Sequence, residues 1–247
     1  METPLLSPPW TALGKKIEST MRKALYDFKM LPEGEGSLAV ALSGGKDSLT
    51  MLCMLKAILG RGFPNMHLHA IHVGGGFTCG AGVSVPFLQR ICDELGVNLI
   101  LREMNQKLED LECYSCSRQR RSLLFAAARE VGATTIAFGH HKDDNIQTML
   151  MNLLHKAEFA GTLPKLEMVD YGITIIRPLI YVSEKDIKTF AKQQNFLRIS
   201  CKCPVGANSM RYRINKVIEE MEALYPNARE NIASAIHQYG SDKAKRR

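Results

Sequence analysis

Short apolar runs alternate with amphipathic segments along most of the chain. The runs that predict strands are Ser37–Leu42, Met66–Val73, Val97–Leu101 and Thr134–Phe138. Apolar positions that recur every three or four residues predict helices over 11–30, 49–59, 86–95, 117–131, 145–155, 187–194 and 214–224. Because strands that alternate with helices build βαβ units, the predicted fold class is α/β: an open, mostly parallel sheet flanked by helices, with a C-terminal helical segment.

The length of 247 residues fits one α/β domain with additions at both ends. We expect an N-terminal helical segment over 1–35, the α/β domain over 36–205, and C-terminal helices with a basic tail over 206–247. The sequence lacks an apolar run of the ~18–20 residues that a membrane-spanning helix needs. Its first residues also lack the basic and apolar regions of a secretory signal. The expected localisation is therefore cytoplasmic, without membrane contact.

Positive charge exceeds negative charge, with 32 Lys and Arg against 25 Asp and Glu, a net charge of +7. Much of the excess lies in three clusters, at Lys15–Lys23, Arg118–Arg121 and Lys243–Arg247. A nucleic acid would release counterions on binding such clusters. An ordinary basic enzyme with solvated charged faces has the same composition, so charge alone leaves both interpretations open.

The motif S-G-G-K-D-S at 43–48 stands where the first predicted strand passes into a helix. Its glycines let backbone N–H groups point inward and the helix N-terminus adds partial positive charge, which makes the turn a candidate anion cradle. Ser43 and Ser48 can donate hydrogen bonds, Lys46 supplies charge, and Asp47 can hold Mg²⁺ against phosphate. A Walker A loop would have Ser or Thr directly after Gly-Lys. The motif resembles the pyrophosphate-binding loop of the PP-loop ATP pyrophosphatases, which adenylate a substrate oxygen.

A second polar motif, G-H-H-K-D-D at 139–144, follows the fourth predicted strand. Carboxyl ends of parallel strands meet at one edge of a sheet, so this motif should lie beside the first. The carboxylates of Asp143 and Asp144 could bind Mg²⁺ or stabilise a reaction intermediate, or one of them could cap the following helix. His140 and His141 are candidate ligands or hydrogen-bonded structural histidines.

Four of the seven cysteines form two close groups, a C-x-x-C at Cys113 and Cys116 and a C-x-C at Cys201 and Cys203. In a reducing compartment such groups indicate metal binding or redox activity. Zinc prefers four ligands, whereas three thiolates also suit a [4Fe–4S] cluster with one iron not bound by protein. A helix N-terminus and several arginines beside Cys116 would favour the thiolate form.

Together these motifs resemble the TtcA family of tRNA 2-thiocytidine synthetases over residues 14–237. The shared motifs are S-G-G-K-D-S at 43–48, C-x-x-C-S-R-x-R-R at 113–121, G-H-H-x-D-D-x-x-Q-T at 139–148, R-P-L at 177–179, E-K-D-I at 184–187, and late cysteines followed by Arg211 and Tyr225-Pro226. Two features depart from the family pattern: the late cysteine motif is commonly C-x-x-C, and the segment 74–85 is unlike the usual linker.

The resemblance implies an ATP-dependent tRNA thiolase that adenylates the C2 oxygen of an anticodon-loop cytidine and replaces it with sulfur by means of a [4Fe–4S] cluster. The implied catalytic residues are Lys46, Asp47 and Asp143. Binding of ATP and pyrophosphate is implied for Ser43, Gly44, Gly45, Lys46, Asp47, Ser48, Gly139 and His140. The implied cluster ligands are Cys113, Cys116 and Cys203, with Mg²⁺ on Asp47 and tRNA contacts from Arg118, Arg120 and Arg121. Implied partners are tRNA, a sulfur donor such as a persulfide or sulfide, and a second copy in a homodimer.

Several alternatives stay open at this level. Spacing to Arg211 selects Cys203 as third ligand, whereas spacing from Cys116 selects Cys201. A thiolase of another tRNA nucleoside, giving 2-thiouridine, would share the cluster residues. A non-catalytic iron–sulfur regulator that binds RNA would keep the cysteines without turnover. The related TtuA branch carries extra terminal C-x-x-C pairs, which this sequence lacks, and this favours TtcA.

Overall fold

The computed structural model describes residues 6–75, 83–105, 113–196 and 210–240, without the side chains of Cys113 and Tyr114. The described strands are β1 (Gly36–Ala41), β2 (Met66–Gly74), β3 (Asn98–Glu103), β4 (Thr135–Ala137), β5 (Lys165–Met168) and β6 (Ile173–Ile176). The described helices are α1 (Ala12–Asp27), α2 (Lys46–Ile58), α3 (Val85–Leu95), α4 (Cys113–Glu130), α5 (Lys142–Lys156), α6 (Glu184–Gln193), α7 (Met210–Leu224) and α8 (Ala228–Tyr239).

The described strands form one sheet in the order β3-β2-β1-β4-β6-β5. The strand β1 pairs in parallel with β2 and β4, β2 with β3, and β4 with β6, whereas β5 runs antiparallel to β6. The predicted α/β class with a mostly parallel sheet is therefore confirmed. The chain adds β2 and β3 on one side of β1 and the later strands on the other side, so the order of strands reverses between β1 and β4. Sheets of this kind bind ligands beyond the carboxyl ends of the two strands at this point.

Alternate residues of the central strands belong to two different cores. In β1, Leu38 and Val40 pack with α1, α2, α3 and α6, whereas Ala39 packs with α4 on the other face. In β2, Ala70 belongs to the first core and Ile71 to the second. Burial on both faces explains why these strands are continuous apolar runs in the sequence. A smaller cluster joins α5, α7 and α8.

The observed helices and strands differ from the predicted ones mainly where an element begins with polar residues or consists largely of them. The helix α4 begins at Cys113 rather than residue 117, and α5 begins at Lys142 rather than residue 145, because their first turns are polar and carry no apolar period. The pattern also misses β5, β6 and α8. The helix α6 begins at Glu184 rather than residue 187, and Ser183 is its N-cap, whose Oγ accepts a hydrogen bond from Asp186 N at 3.2 Å.

Some sequence predictions concern residues outside the described ranges. These are Cys201, Cys203, the basic residues after Gly240, and most of the unusual segment 74–85. Within the described ranges, no helix has both the length and the apolar character needed to cross a membrane.

The helix α1 contributes to the same core as the sheet. Its residues Ile17, Met21 and Leu25 are buried among residues of β1, α2 and α6. Just before the helix, Trp10 packs edge-on against Phe190 of α6, with ring centroids 5.8 Å apart. The division at residues 35 and 205 stays a prediction, and this packing indicates that α1 unfolds together with the α/β core.

We expect Met21→Ala to lower the free energy of unfolding by about 2–4 kcal/mol, because it removes a fully buried side chain and leaves a cavity. The measurement is urea-induced unfolding followed by circular dichroism. The control is Tyr26→Ala on the same helix, where the side chain is 77% exposed and the expected change is within about 0.5 kcal/mol. Two unfolding transitions, with only one affected by Met21→Ala, would contradict a shared core.

Candidate active site

The loop at 43–48 connects β1 to α2 and is held by its own hydroxyl groups. Ser43 Oγ lies 3.1 Å from Ser48 Oγ and accepts a hydrogen bond from Gly45 N at 3.3 Å. Ser48 Oγ donates to the Gly45 carbonyl oxygen at 3.0 Å. Gly45 is the N-cap of α2 and has no side chain to cap the helix, so the N-terminal N–H groups of α2 are available to an anion.

Two glycines allow neighbouring segments to pack closely against the 43–48 loop. Gly44 has a φ of +79°, and a Cβ there would lie 2.6 Å from Val83 Cγ1. Gly139, the first residue of the G-H-H-K-D-D motif, would bring a Cβ within 3.2 Å of Ser48 N. The turn after β4 is therefore packed directly on the first turn of α2, and the expectation that the two motifs are neighbours is confirmed.

Lys46 is held between two carboxylates. Its Nζ lies 3.1 Å from Asp47 Oδ2 and 3.2 Å from Glu184 Oε1 on the first turn of α6. Burial alone would lower the pKa of Lys46, but the charges of Asp47 and Glu184 raise it above its ordinary value. The pKa of Glu184 is lowered, because hydrogen bonds and charge from Lys188 and Lys46 outweigh its burial. Lys46 is thus a cation in a position where phosphate oxygens could replace its carboxylate partners.

His141 is buried between three carboxylates. Its Nε2 lies 3.7 Å from Asp47 Oδ1 and 3.5 Å from Asp144 Oδ2, and its Nδ1 lies 3.8 Å from Asp143 Oδ2. Asp47 Oδ1 is itself buried and makes no hydrogen bond with the described residues. A buried carboxylate oxygen that accepts no hydrogen bond is suited to bind a cation. Asp47 therefore fits the expected role of a Mg²⁺ ligand.

Asp143 is occupied by structural contacts. It is buried, its Oδ2 accepts a hydrogen bond from Glu184 N at 2.7 Å, and its Oδ1 pairs with Arg229 Nη1 at 2.6 Å. The carboxylate therefore caps α6 and joins it to α8, whereas Asp144 contacts His141 and Arg211. The catalytic role of Asp143 stays a prediction. The capping alternative holds for α5 through Asp144, whose Oδ2 accepts a hydrogen bond from His141 N at 3.1 Å, whereas Asp143 caps α6.

His140 is a neutral hydrogen-bond acceptor. Arg177 Nε donates to its Nδ1 at 3.3 Å, and its ring stacks on Phe138 at a centroid distance of 6.0 Å. Burial, followed by the positive charge of Arg177, lowers the pKa of His140 to about 4. His140 is thus placed beside the loop as an uncharged side chain, and its role in ATP binding stays a prediction.

The start of α4 lies at the same edge of the sheet. His72 hydrogen-bonds to the carbonyl oxygen of Leu42, just before the 43–48 loop, at 2.8 Å. Its burial lowers its pKa, and Arg120 of α4 is near enough to lower it further. Arg121 likewise acts electrostatically on Arg177. Cys116 is half-buried in the first turn of α4, and Cys113 begins the helix. The two positions are therefore three residues apart on one helical turn, as expected for a shared ligand.

The three arginines that follow the C-x-x-C differ in setting. Arg118 is exposed, whereas Arg120 and Arg121 are half-buried. Arg121 donates to the carbonyl oxygen and the hydroxyl of Ser117 on its own helix. Contact of these side chains with tRNA stays a prediction.

The sequence motifs did not assign roles to Glu184, Arg177 and Arg229. Glu184 belongs to the E-K-D-I motif and Arg177 to the R-P-L motif. The sequence therefore marked both residues as part of a family motif but did not indicate what they contact. Arg229 lies in no motif, and its pairing with Asp143 across 86 positions appears only in the fold.

A large cleft of about 950 Å³ is lined by parts of α1, α8 and the segment 161–169. It includes Lys142 of the G-H-H-K-D-D motif but not the 43–48 loop. The candidate active site is therefore defined by its convergent polar groups rather than by cavity size.

The sheet order and the anion-binding turn after β1 define an α/β nucleotide-binding protein of the PP-loop class. A family model described as a PP-loop domain matches residues 13–200. The chain is 33% identical to the tRNA-cytidine(32) 2-sulfurtransferase of Dechloromonas aromatica over 91% of this chain and 80% of that protein. It is 35% identical to the enzyme of the same name from Escherichia coli O127:H6, over 91% and 74% of the two chains. The protein belongs to the PP-loop family that these tRNA-cytidine(32) 2-sulfurtransferases represent.

A solved structure has the same fold. The U34-tRNA thiolase NcsA from Methanococcus maripaludis, with its [4Fe–4S] cluster, superposes with a TM-score of 0.73. It is 23% identical, and the match covers 92% of this chain and 79% of that one. The likeness supports the predicted fold class, an open, mostly parallel sheet flanked by helices.

We expect Asp143→Asn to lower the free energy of unfolding by about 3 kcal/mol, because Arg229 would lose its buried partner. The matched variant Asp144→Asn should cost about 1 kcal/mol or less, since the side chain of its partner Arg211 is 47% exposed. Urea-induced unfolding of both variants provides the comparison. Equal losses of unfolding free energy in the two variants would show that the contacts of Asp143 stabilise the fold no more than those of Asp144.

We expect a histidine-dependent loss of stability at mildly acidic pH. The pKa of His140 is about 4 in the folded protein against an ordinary 6.5. Between these values the unfolded chain binds more protons, so the free energy of unfolding falls as the pH is lowered from 6.5 towards 4. His140→Gln keeps an acceptor for Arg177 and should reduce this fall by about 1–3 kcal/mol. Parallel pH dependences of the two proteins in urea unfolding would contradict a neutral His140.

Proposed function

We propose that the protein is an ATP-dependent tRNA thiolase that converts a cytidine of the anticodon loop to 2-thiocytidine. The observation that carries the proposal is the meeting of three motifs at one sheet edge: the loop at 43–48, the G-H-H-K-D-D turn packed against it, and the first turn of α4 with its C-x-x-C. The names of the relatives, tRNA-cytidine(32) 2-sulfurtransferases, support cytidine as the substrate base.

The first step that the site supports is adenylation. The C2 oxygen of a cytidine does not leave unaided, so it attacks the α-phosphorus of ATP, and the bond from that phosphorus to the bridging oxygen breaks. The 43–48 loop would bind the departing pyrophosphate with the N–H groups of α2, and Lys46 would exchange Asp47 and Glu184 for phosphate oxygens. Mg²⁺ bound by Asp47 would neutralise part of the developing charge.

The second step is replacement of the activated oxygen by sulfur. Sulfide forms a bond to C2 and loses its protons, and AMP leaves with the former C2 oxygen. A persulfide donor would also need a thiol reductant, which breaks its S–S bond after the bond to C2 has formed. Cys113 and Cys116 stand in the first turn of α4, where the helix dipole favours thiolates. With Cys203 they would hold a [4Fe–4S] cluster, which supplies the sulfur-transfer chemistry when bound.

The polar surroundings of α4 suit an RNA substrate. Arg118, Arg120 and Arg121 follow the cysteines directly, so the phosphates of an anticodon loop would be bound next to the sulfur-transfer site. A target base splayed out of such a loop could reach the edge of the sheet. A persulfide or sulfide is the sulfur donor in this proposal, and a homodimer is its expected assembly.

The test is mass spectrometry of nucleosides from tRNA incubated with anaerobically reconstituted protein, ATP, Mg²⁺ and sulfide. We expect 2-thiocytidine, and AMP formed in equal amount. The matched control is Asp47→Ala, which should fold normally and form neither product. Formation of 2-thiouridine instead would assign a different nucleoside, and absence of both AMP and thiolated nucleosides would support a non-catalytic RNA-binding protein.

We expect Cys113→Ser, Cys116→Ser and Cys203→Ser each to lose most iron and all thiolation. Serine is nearly isosteric with cysteine but a poor ligand for cluster iron, so the fold should persist. Cys201→Ser is the matched control and should keep most of its iron, because the spacing to Arg211 selects Cys203 as the third ligand. The measurement is iron and acid-labile sulfide per protein. Loss of iron from Cys201→Ser but not from Cys203→Ser would exchange the two assignments.

A further inference from the structure

Arg177 is fixed at the carboxyl edge of the sheet by two hydrogen bonds. It directly follows β6, whose last residue, Ile176, accepts a hydrogen bond from Phe138 N next to β4 at 2.9 Å. Its Nε donates to His140 Nδ1 at 3.3 Å, and its Nη1 donates to the carbonyl oxygen of Leu163. The guanidinium is thus oriented by the fold, and it is only half-buried.

Both partners of this guanidinium are uncharged. The ion pairs found among the described residues do not include Arg177. His140 accepts through Nδ1 and is neutral, and the Leu163 group is a peptide carbonyl. Burial and the neighbouring charge of Arg121 lower the pKa of Arg177 to about 10, against an opposing effect of the Asp144 carboxylate, which does not form an ion pair with it. A half-buried cation that is not paired with an anion is costly, so a bound anion would stabilise this arrangement.

The position of Arg177 indicates which anion. His140 belongs to the turn whose Gly139 touches the start of α2, so Arg177 stands beside the phosphate loop without being part of it. Arg121 of α4 is near enough to act on it electrostatically. The phosphate groups of ATP and of tRNA are the anions that the proposed reaction brings to this place. A planar guanidinium with free N–H groups binds phosphate in a bidentate manner.

We propose that Arg177 binds a substrate phosphate group between the 43–48 loop and the cysteine-bearing helix α4, with His140 and Leu163 as the neutral groups that orient it. The inference rests on the proposed function, because that function supplies the phosphates. The phosphate is either that of the adenylyl group, which remains after pyrophosphate has left, or one of the tRNA backbone. The 43–48 loop would then bind the departing pyrophosphate, and Arg177 would bind the phosphate group that remains on the substrate.

The test compares ligands that differ by one phosphate. In the first arm, the dissociation constants of AMP and adenosine are measured by calorimetry for the wild type and for Arg177→Met. If Arg177 binds the adenylyl phosphate, the preference of the wild type for AMP should fall by at least about 10-fold in the variant, as expected for loss of hydrogen bonds to a charged group. The affinity for adenosine should stay within about twofold, since adenosine has no phosphate to lose.

In the second arm, tRNA binding is measured over a range of salt concentrations. If the phosphate is one of the tRNA backbone, the AMP preference should persist and the slope of log K against log salt should fall by about one unit. The matched control in both arms is Arg129→Met, an exposed arginine in the last turn of α4. It should change neither quantity.

The proposal is overturned if Arg177→Met keeps both the AMP preference and the salt slope, whatever its effect on the affinity for adenosine. If Arg177→Met does not fold, Arg177→Lys replaces it, since it keeps the charge but loses the planar pair of donors. That variant should lose at least about threefold of the AMP preference or part of the salt slope, and no change in either would also overturn the proposal. Neither arm measures thiolation, so a different modified nucleoside in the functional test would leave this result interpretable.

Discussion

The buried carboxylate of Asp143 is the contact on which the arrangement of the site depends. It belongs to the first turn of α5, accepts the first N–H of α6 at Glu184, and pairs with Arg229 of α8. A buried charge is tolerated only when its lone pairs are satisfied, so these three helices must keep their relative positions. Since the Glu184 side chain in turn binds Lys46, the position of Lys46 is linked through α6 to a helix near the end of the chain.

The charges around the 43–48 loop are balanced among themselves before a nucleotide binds. Lys46 is neutralised by Asp47 and Glu184, and Glu184 is shared with Lys188. Entry of a polyphosphate therefore replaces existing ion pairs rather than filling an empty cationic pocket. The cost of separating Lys46 from its carboxylates reduces the net affinity, and Mg²⁺ at Asp47 would offset that cost by giving the released carboxylate a new partner.

The sequence predicted the parts of this molecule that local pattern encodes. Four parallel strands were predicted because they are apolar runs, which burial on both faces explains for β1, β2 and β4 but not for the edge strand β3. The strands β5 and β6 are four residues each, and β5 (K-L-E-M) contains charge at the sheet edge. The two polar motifs were placed side by side because parallel strands end at one edge. The roles of Glu184 and Arg229 could not be predicted, because they arise from contacts between residues far apart in the sequence.

The arginines of the site show why residue type and motif do not determine role. Arg229 pairs with two carboxylates, Glu222 and Asp143, which raise its pKa. Its positive charge is therefore balanced by negative charges of the protein itself. Arg177 has neutral partners and a lowered pKa. The first is a structural cation, and its removal would leave a buried carboxylate unpaired. The second is a cation that the fold orients but does not neutralise, and such a group is suited to a charge that arrives with the substrate.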